Sequence, residues 1–123
     1  MASLTDFPRV TPGGLLNLEP SNGVVIATVA QPDRAADAGY LKHELLSVLE
    51  CRPKAVLMDL TRVVDLSTGS LEELAGVRER LRDAGANFAL CNVSGDVQQK
   101  LKKAERNLPI YENQVIALAA LKS

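Results

Sequence analysis

"KAVLMDLTRVVDLSTGSLEEL" fills residues 54–74 and changes character twice along its length. The first part, 54–60, is aliphatic at nearly every position, without the polar alternation of a half-exposed strand. A short apolar run of this kind reads as a strand covered on both faces. The last part begins a different period. Leu71 and Leu74, continued by Val77 and Leu81, fall three or four apart and mark one stripe of a helix of about four turns, stopped near Gly85. Between the two lie Asp65, Leu66, Ser67, Thr68, Gly69 and Ser70. A buried strand that passes through a short polar loop into an amphipathic helix is half of a βαβ unit, and its repetition along the chain sets the fold.

The unit recurs on both sides. Downstream, "NFALCNV" (87–93) is another buried strand and "SGDVQQKLKKAERNL" (94–108) another helix, with Ser94 or Asp96 at its start and Val97, Leu101 and Ala104 on one face. "PIYE" (109–112) is a short strand, and "NQVIALAALK" (113–122) is a closing helix capped by Asn113. Upstream, Pro53 stops a helix carrying Tyr40, Leu41, Leu45, Val48 and Leu49 at helical spacing, with Asp33 as its N-cap. Before it, "VVIATV" (24–29) is a buried strand. "LLNLE" (15–19) precedes that, joined through "PSNG" (20–23), whose Asn22-Gly23 pair signals a hairpin. The order β-β-α-β-α-β-α-β-α predicts an α/β fold, a mixed and mostly parallel sheet of about five strands with four helices and one antiparallel edge strand. Residues 1–13, with Pro8 and Pro12, are expected to be a flexible tail ahead of a single domain over 14–123. Val24, Ile26, Val56, Met58, Phe88 and Leu90 are expected inside the strands, with Leu74 and Leu81 packed on them.

Composition narrows the function. The chain of 123 residues is 46% hydrophobic and 24% charged, enough to bury a core, yet only 3% aromatic, so that core is aliphatic. A net charge of −1 with both signs mixed argues against nucleic acid or an anionic membrane as the partner. The basic run "KLKKAER" (100–106) reads as a solvated helix face. Cys51 and Cys91 lie far apart without CxxC spacing, as in reduced thiols of a cytoplasmic protein. The first residues lack the basic-then-apolar order of a signal peptide, and "VVIATVA" is too short to span a membrane.

Little catalytic chemistry is available. The one histidine, His43, falls in mid-helix, away from the sheet edge where Ser67 belongs, so a Ser-His-Asp triad has no base. HExxH, clustered Cys/His and P-loop patterns are missing, which leaves no expected metal or cofactor. Asp59 ends a buried strand, as the phosphoaccepting aspartate does in receiver domains. The acidic pair such a site needs for Mg²⁺ is missing, with only Asp33 in "AQPD". The polar residues instead belong to three loops, 31–34, 61–69 and 92–96, expected together beyond the carboxyl ends of the strands. Ser67 or Ser70 can cap the following helix, and Ser70-Leu71-Glu72-Glu73 fits the S-x-x-E capping box. A cap uses one hydroxyl. Ser67 and Thr68 beside Gly69 also suit a phosphoacceptor, since a helix start offers free backbone N–H groups and a favourable dipole to an anion.

The chain resembles the STAS family, the fold of bacterial anti-sigma-factor antagonists, over residues from about 15 to 121. "AQPD" (30–33) is similar to that family's "GELD", "KAVLMDLTRVVDLSTG" to its strand, D-L-S and D-S-S-G or D-S-T-G loop, and "AGANFALCNVS" (84–94) to its glycine-strand-N-V-S segment. The resemblance implies a non-enzymatic regulatory protein that binds an anti-sigma factor with serine kinase activity, ATP belonging to the partner. It implies phosphorylation at Ser67, with Thr68 as the second choice, and partner contacts from Asp33, Asp65, Ser67, Thr68, Gly69, Ser70, Glu72 and Glu73. The alternative is a STAS subunit that docks on a membrane transporter's ATPase or a stress-sensing complex without a phospho-switch. One position departs from the pattern. The family places Asp directly before the acceptor serine, whereas here Leu66 stands there and Asp65 one residue earlier. Either Leu66 replaces the acid or the loop carries an extra residue.

Overall fold

Asn22 and Gly23 both adopt positive φ, 51° and 88°, as a two-residue hairpin turn between right-twisted strands requires. They join β1 (Leu16–Ser21) to β2 (Val24–Val29), antiparallel, with Ser21 opposite Val24. In this computed structural model, which describes residues 9–11, 13–31, 40–103 and 108–122, the sheet then grows in chain order. β3 (Ala55–Asp59), β4 (Asn87–Cys91) and the two-residue β5 (Ile110–Tyr111) each add parallel to the strand before. The described helices are α1 (Tyr40–Ser47), tightened into a 3₁₀ turn at Val48–Cys51, α2 (Thr68–Asp83), α3 (Gly95–Lys103) and α4 (Gln114–Lys122).

Right-handed crossovers between neighbouring parallel strands place successive helices on one face, and the core divides accordingly. Val25, Ala27, Val29, Val56, Met58, Phe88 and Leu90 form one cluster with Leu41 and Leu45 of α1, Leu71, Leu74, Val77 and Leu81 of α2, and Val97 and Leu101 of α3. Val24, Ile26, Ala55, Leu57, Ala89 and Cys91 face the other way, under Ala117 and Leu121 of α4. Val24 and Ile26 are therefore buried as expected, but not beneath Leu74 and Leu81. In a strand apolar at five of its six positions, period two cannot show which set meets which helix.

Element ends follow from local chemistry. α2 closes in a Schellman motif: Gly85 (φ 82°) donates to the Arg82 carbonyl at 3.0 Å and Ala86 to that of Leu81 at 2.8 Å. Arg52 is left-handed at φ 50° as the cap that ends the 3₁₀ turn, its amide donating to the Leu49 carbonyl at 3.0 Å. Residues expected in the tail are tied down. Val10 bridges to Asn17. The buried Glu44 carboxylate accepts from Thr11 Oγ1 at 2.9 Å and from the Gly13 and Leu15 amides at 3.1 Å. A carboxylate desolvated this far needs such donors. These contacts reach back to Arg9, whose carbonyl accepts from the Leu18 amide at 2.8 Å. Asp33, most of the 31–34 loop and Ala104 lie outside the described residues.

Candidate functional site

The loop between β3 and α2 is held from below by every third residue. Leu60, Val63 and Leu66 are buried in the larger core, while Thr61, Arg62, Val64, Asp65, Ser67 and Thr68 are exposed. Leu66 is 1% exposed and Val64 is 74% exposed. The side chain directly before Ser67 thus points into the protein, and the nearest acid, Asp65, points out.

Ser67 is the N-cap of α2. Its backbone is extended (φ −68°, ψ 158°), its Oγ accepts from the Ser70 amide at 3.1 Å, and its hydroxyl donates to Ser70 Oγ at 3.0 Å. The S-x-x-E box at Ser70 is therefore not what starts the helix, which begins two residues earlier, at Thr68. Ser70 is fully buried. Gly69 is partly covered, Thr68 and Glu72 are exposed, and Glu73 accepts from the Lys42 amide at 3.4 Å, linking α2 to the first turn of α1.

α3 grips the same loop from the side. Ser94 caps α3, its Oγ accepting from Val97 N at 3.3 Å while its hydroxyl donates to the Val64 carbonyl at 2.7 Å. Lys100 reaches across from α3. Its Nζ lies 2.8 Å from Asp65 Oδ1, and it donates to Asp65 Oδ2 and to the Leu66 carbonyl, each at 3.0 Å. Asp65 also accepts from the Leu66 amide at 2.9 Å. The Lys100 hydrogen bond, more than the amide, holds the Asp65 carboxyl below its ordinary range. In the 100–106 run Lys102 and Lys103 are exposed, while Lys100 turns a half-exposed side chain onto this loop. A lysine in a basic helical run gives no sign of its partner, since that partner is a loop residue thirty-five positions back.

Asp59, at the end of β3, is a structural carboxylate. It is buried and accepts from Thr61 N at 2.9 Å, the Thr61 hydroxyl, Asn92 Nδ2 at 3.2 Å and Gln114 Nε2 at 2.6 Å. Burial alone would raise its pKa, but the bonds from Thr61, Gln114 and Asn92 outweigh it and hold the group low. These bonds tie the loop, the end of β4 and the start of α4 into one rim. Beside Gln114, Val115 is 79% exposed. The carboxyl edge thus presents apolar Val64 and Val115 with the hydroxyls of Ser67 and Thr68. His43 is exposed on α1. Among the described residues no group of three His, Cys, Asp or Glu converges on a possible metal site, and no helix is long and apolar enough to cross a membrane.

A family profile described as STAS domain matches residues 16–113. Solved structures of the same fold include an anti-sigma factor antagonist from Mycobacterium paratuberculosis (TM-score 0.71, 21% identity, covering 88% of this chain and 93% of that one). An anti-sigma-factor antagonist (STAS) domain protein from Planctomyces limnophilus aligns with TM-score 0.67 and 20% identity, over 86% and 96% of the two chains. A sulfate transporter family protein from Wolinella succinogenes aligns with TM-score 0.66 and 21% identity, over 83% and 87%. Among curated proteins no sequence matches.

Proposed function

The chain belongs to the STAS family, and from that premise we propose that it is a cytoplasmic anti-sigma-factor antagonist, a non-enzymatic binding protein switched by phosphorylation of Ser67. The partner is an anti-sigma factor with serine kinase activity. It docks on the carboxyl edge, over Val64, Asp65, Ser67, Thr68, Gly69 and the first turn of α2 with Glu72 and Glu73, and reaches Asp33 in the 31–34 loop. Ser70, being buried, acts by holding Ser67. The single observation that carries this reading is Ser67 itself, an exposed hydroxyl residue capping a helix beside an exposed aliphatic side chain on a loop gripped from two sides.

Phosphate adds about −1.5 to −2 charges at that point. Within the domain the helix dipole returns about 0.3–1 kcal/mol, while an interface that buries the same charge unpaired loses several kcal/mol. A loss of about 3 kcal/mol weakens binding roughly a hundredfold. The test is a pull-down from the native cell followed by calorimetric titration of Ser67→Asp and Ser67→Ala. Ser67→Asp keeps an oxygen acceptor for the Ser70 amide, so its melting temperature should hardly move while binding falls at least a hundredfold. Ser67→Ala should bind and resist the kinase, but lose about 1 kcal/mol with the cap.

A second reading has its own support. The buried Leu66 stands where the acid is expected, and a transporter family protein shares the fold. The chain would then be a docking subunit for a transporter ATPase or a stress-sensing assembly. It takes over if Ser67→Asp binds as tightly as wild type and the kinase labels neither Ser67 nor Thr68.

A further inference from the structure

We propose that Lys100 is the counter-ion of the phosphorylated loop: its ammonium leaves Asp65 for a phosphate on Ser67, and the Asp65–Leu66 segment is released from α3. The phosphate rests on the phosphorylation reading above; the exchange rests on geometry. Lys100 Nζ lies 3.0 Å from the oxygen of the peptide that joins Leu66 to Ser67. One peptide unit and one Cβ separate it from Ser67 Oγ, within the swing of a four-carbon stem.

The present bond is weak enough to exchange. Lys100 and Asp65 side chains are 40% and 55% exposed, so water screens the pair on both sides. A phosphate offers the same ammonium nearly twice the charge and three acceptor oxygens. Leu66 keeps its buried side chain, and Ser94 keeps its bond to the Val64 carbonyl. The release is therefore confined to the Asp65 carboxylate and the Leu66 carbonyl. Phosphorylation would then act twice on a partner, by its own charge and by freeing Asp65 from its counter-ion.

The experiment installs phosphoserine at position 67 during translation, without kinase or partner, in wild type, Lys100→Met and Lys100→Arg. Phosphorus NMR follows the monoanion-to-dianion step. Arg62, Asp65, Glu72 and Glu73 stand on or beside the loop in every version, so the difference isolates Lys100. A cation beside the phosphate favours the dianion, so Lys100→Met should raise the midpoint by about half a pH unit and Lys100→Arg should restore it. The Asp65 and Leu66 amide signals should move on phosphorylation toward their positions in unphosphorylated Lys100→Met. An unchanged phosphorus midpoint in Lys100→Met, or still amides at Asp65 and Leu66, overturns the exchange. A kinase that labels neither Ser67 nor Thr68 sinks the switch reading instead, in a separate assay.

Discussion

Leu66 decides how the departure at the acceptor motif is to be understood. Its side chain completes the Leu60, Val63 and Leu66 series that seats the loop on the core, so an acid cannot be restored there by substitution. Leu66→Asp should lose the packing of a buried leucine and bury a carboxylate, together about 3 kcal/mol or more, measured as a lower urea midpoint. Asp59 behaves in the opposite way. Asp59→Asn replaces an acceptor-only group by one that turns donors toward donors, which should cost about 1–3 kcal/mol at pH 7. Because the folded carboxyl is held low, its contribution is present above the unfolded value of about 3.9. It fades as pH falls through the folded value. The gap between wild type and Asp59→Asn should therefore narrow below about pH 4, and urea titrations at pH 7 and pH 3 check this. Ser67, Thr68 and Gly69 could be placed at a helix start from spacing alone. Lys100, Ser94 and Gln114 could not, because their contacts to Asp65, Val64 and Asp59 join residues thirty or more positions apart.

α2 shows why elements were easier to find than their partners. Its stripe of Leu71, Leu74, Val77 and Leu81 and its stop at Gly85 are local signals, and all four side chains are buried. Spacing leaves its start open between two caps, Ser67 and Ser70, and the extended backbone of Ser67 with its bond from the Ser70 amide decides for Ser67. Leu74 is fully buried against the strands. Leu74→Ala should cost about 2–5 kcal/mol as a core cavity, seen as a loss of roughly 10 °C or more in melting temperature. A loss under about 0.5 kcal/mol would mean that the helix shows another face to the sheet. α1 was harder to bound. The apolar period runs on to Leu49, but the helix ends at Ser47 and tightens into a 3₁₀ turn before Arg52 and Pro53. Hydrophobic period alone does not distinguish those two helical forms.

Across the whole molecule, the two faces of the sheet differ in what shields them. Cys91 lies on the α4 face, where burial and then the charge of Asp59 push its thiol up to about 12. Cys51 is partly exposed and raised by burial and by Glu50. A thiol reagent at pH 8 should label Cys51 slowly in the native protein and Cys91 only after unfolding, which mass spectrometry of the two peptides would show. The α1, α2 and α3 face is built as the chain lengthens, because each strand arrives beside its predecessor with a helix ready to cover it. The opposite face waits for α4. During synthesis from the N-terminus, Val24, Ile26, Ala55 and Leu57 stay uncovered until residues 114–122 have emerged. A chain that has emerged only through β4 would thus have a sheet largely paired yet one-sided. That nascent species, rather than the finished domain, is the one a ribosome-associated chaperone would have to shield.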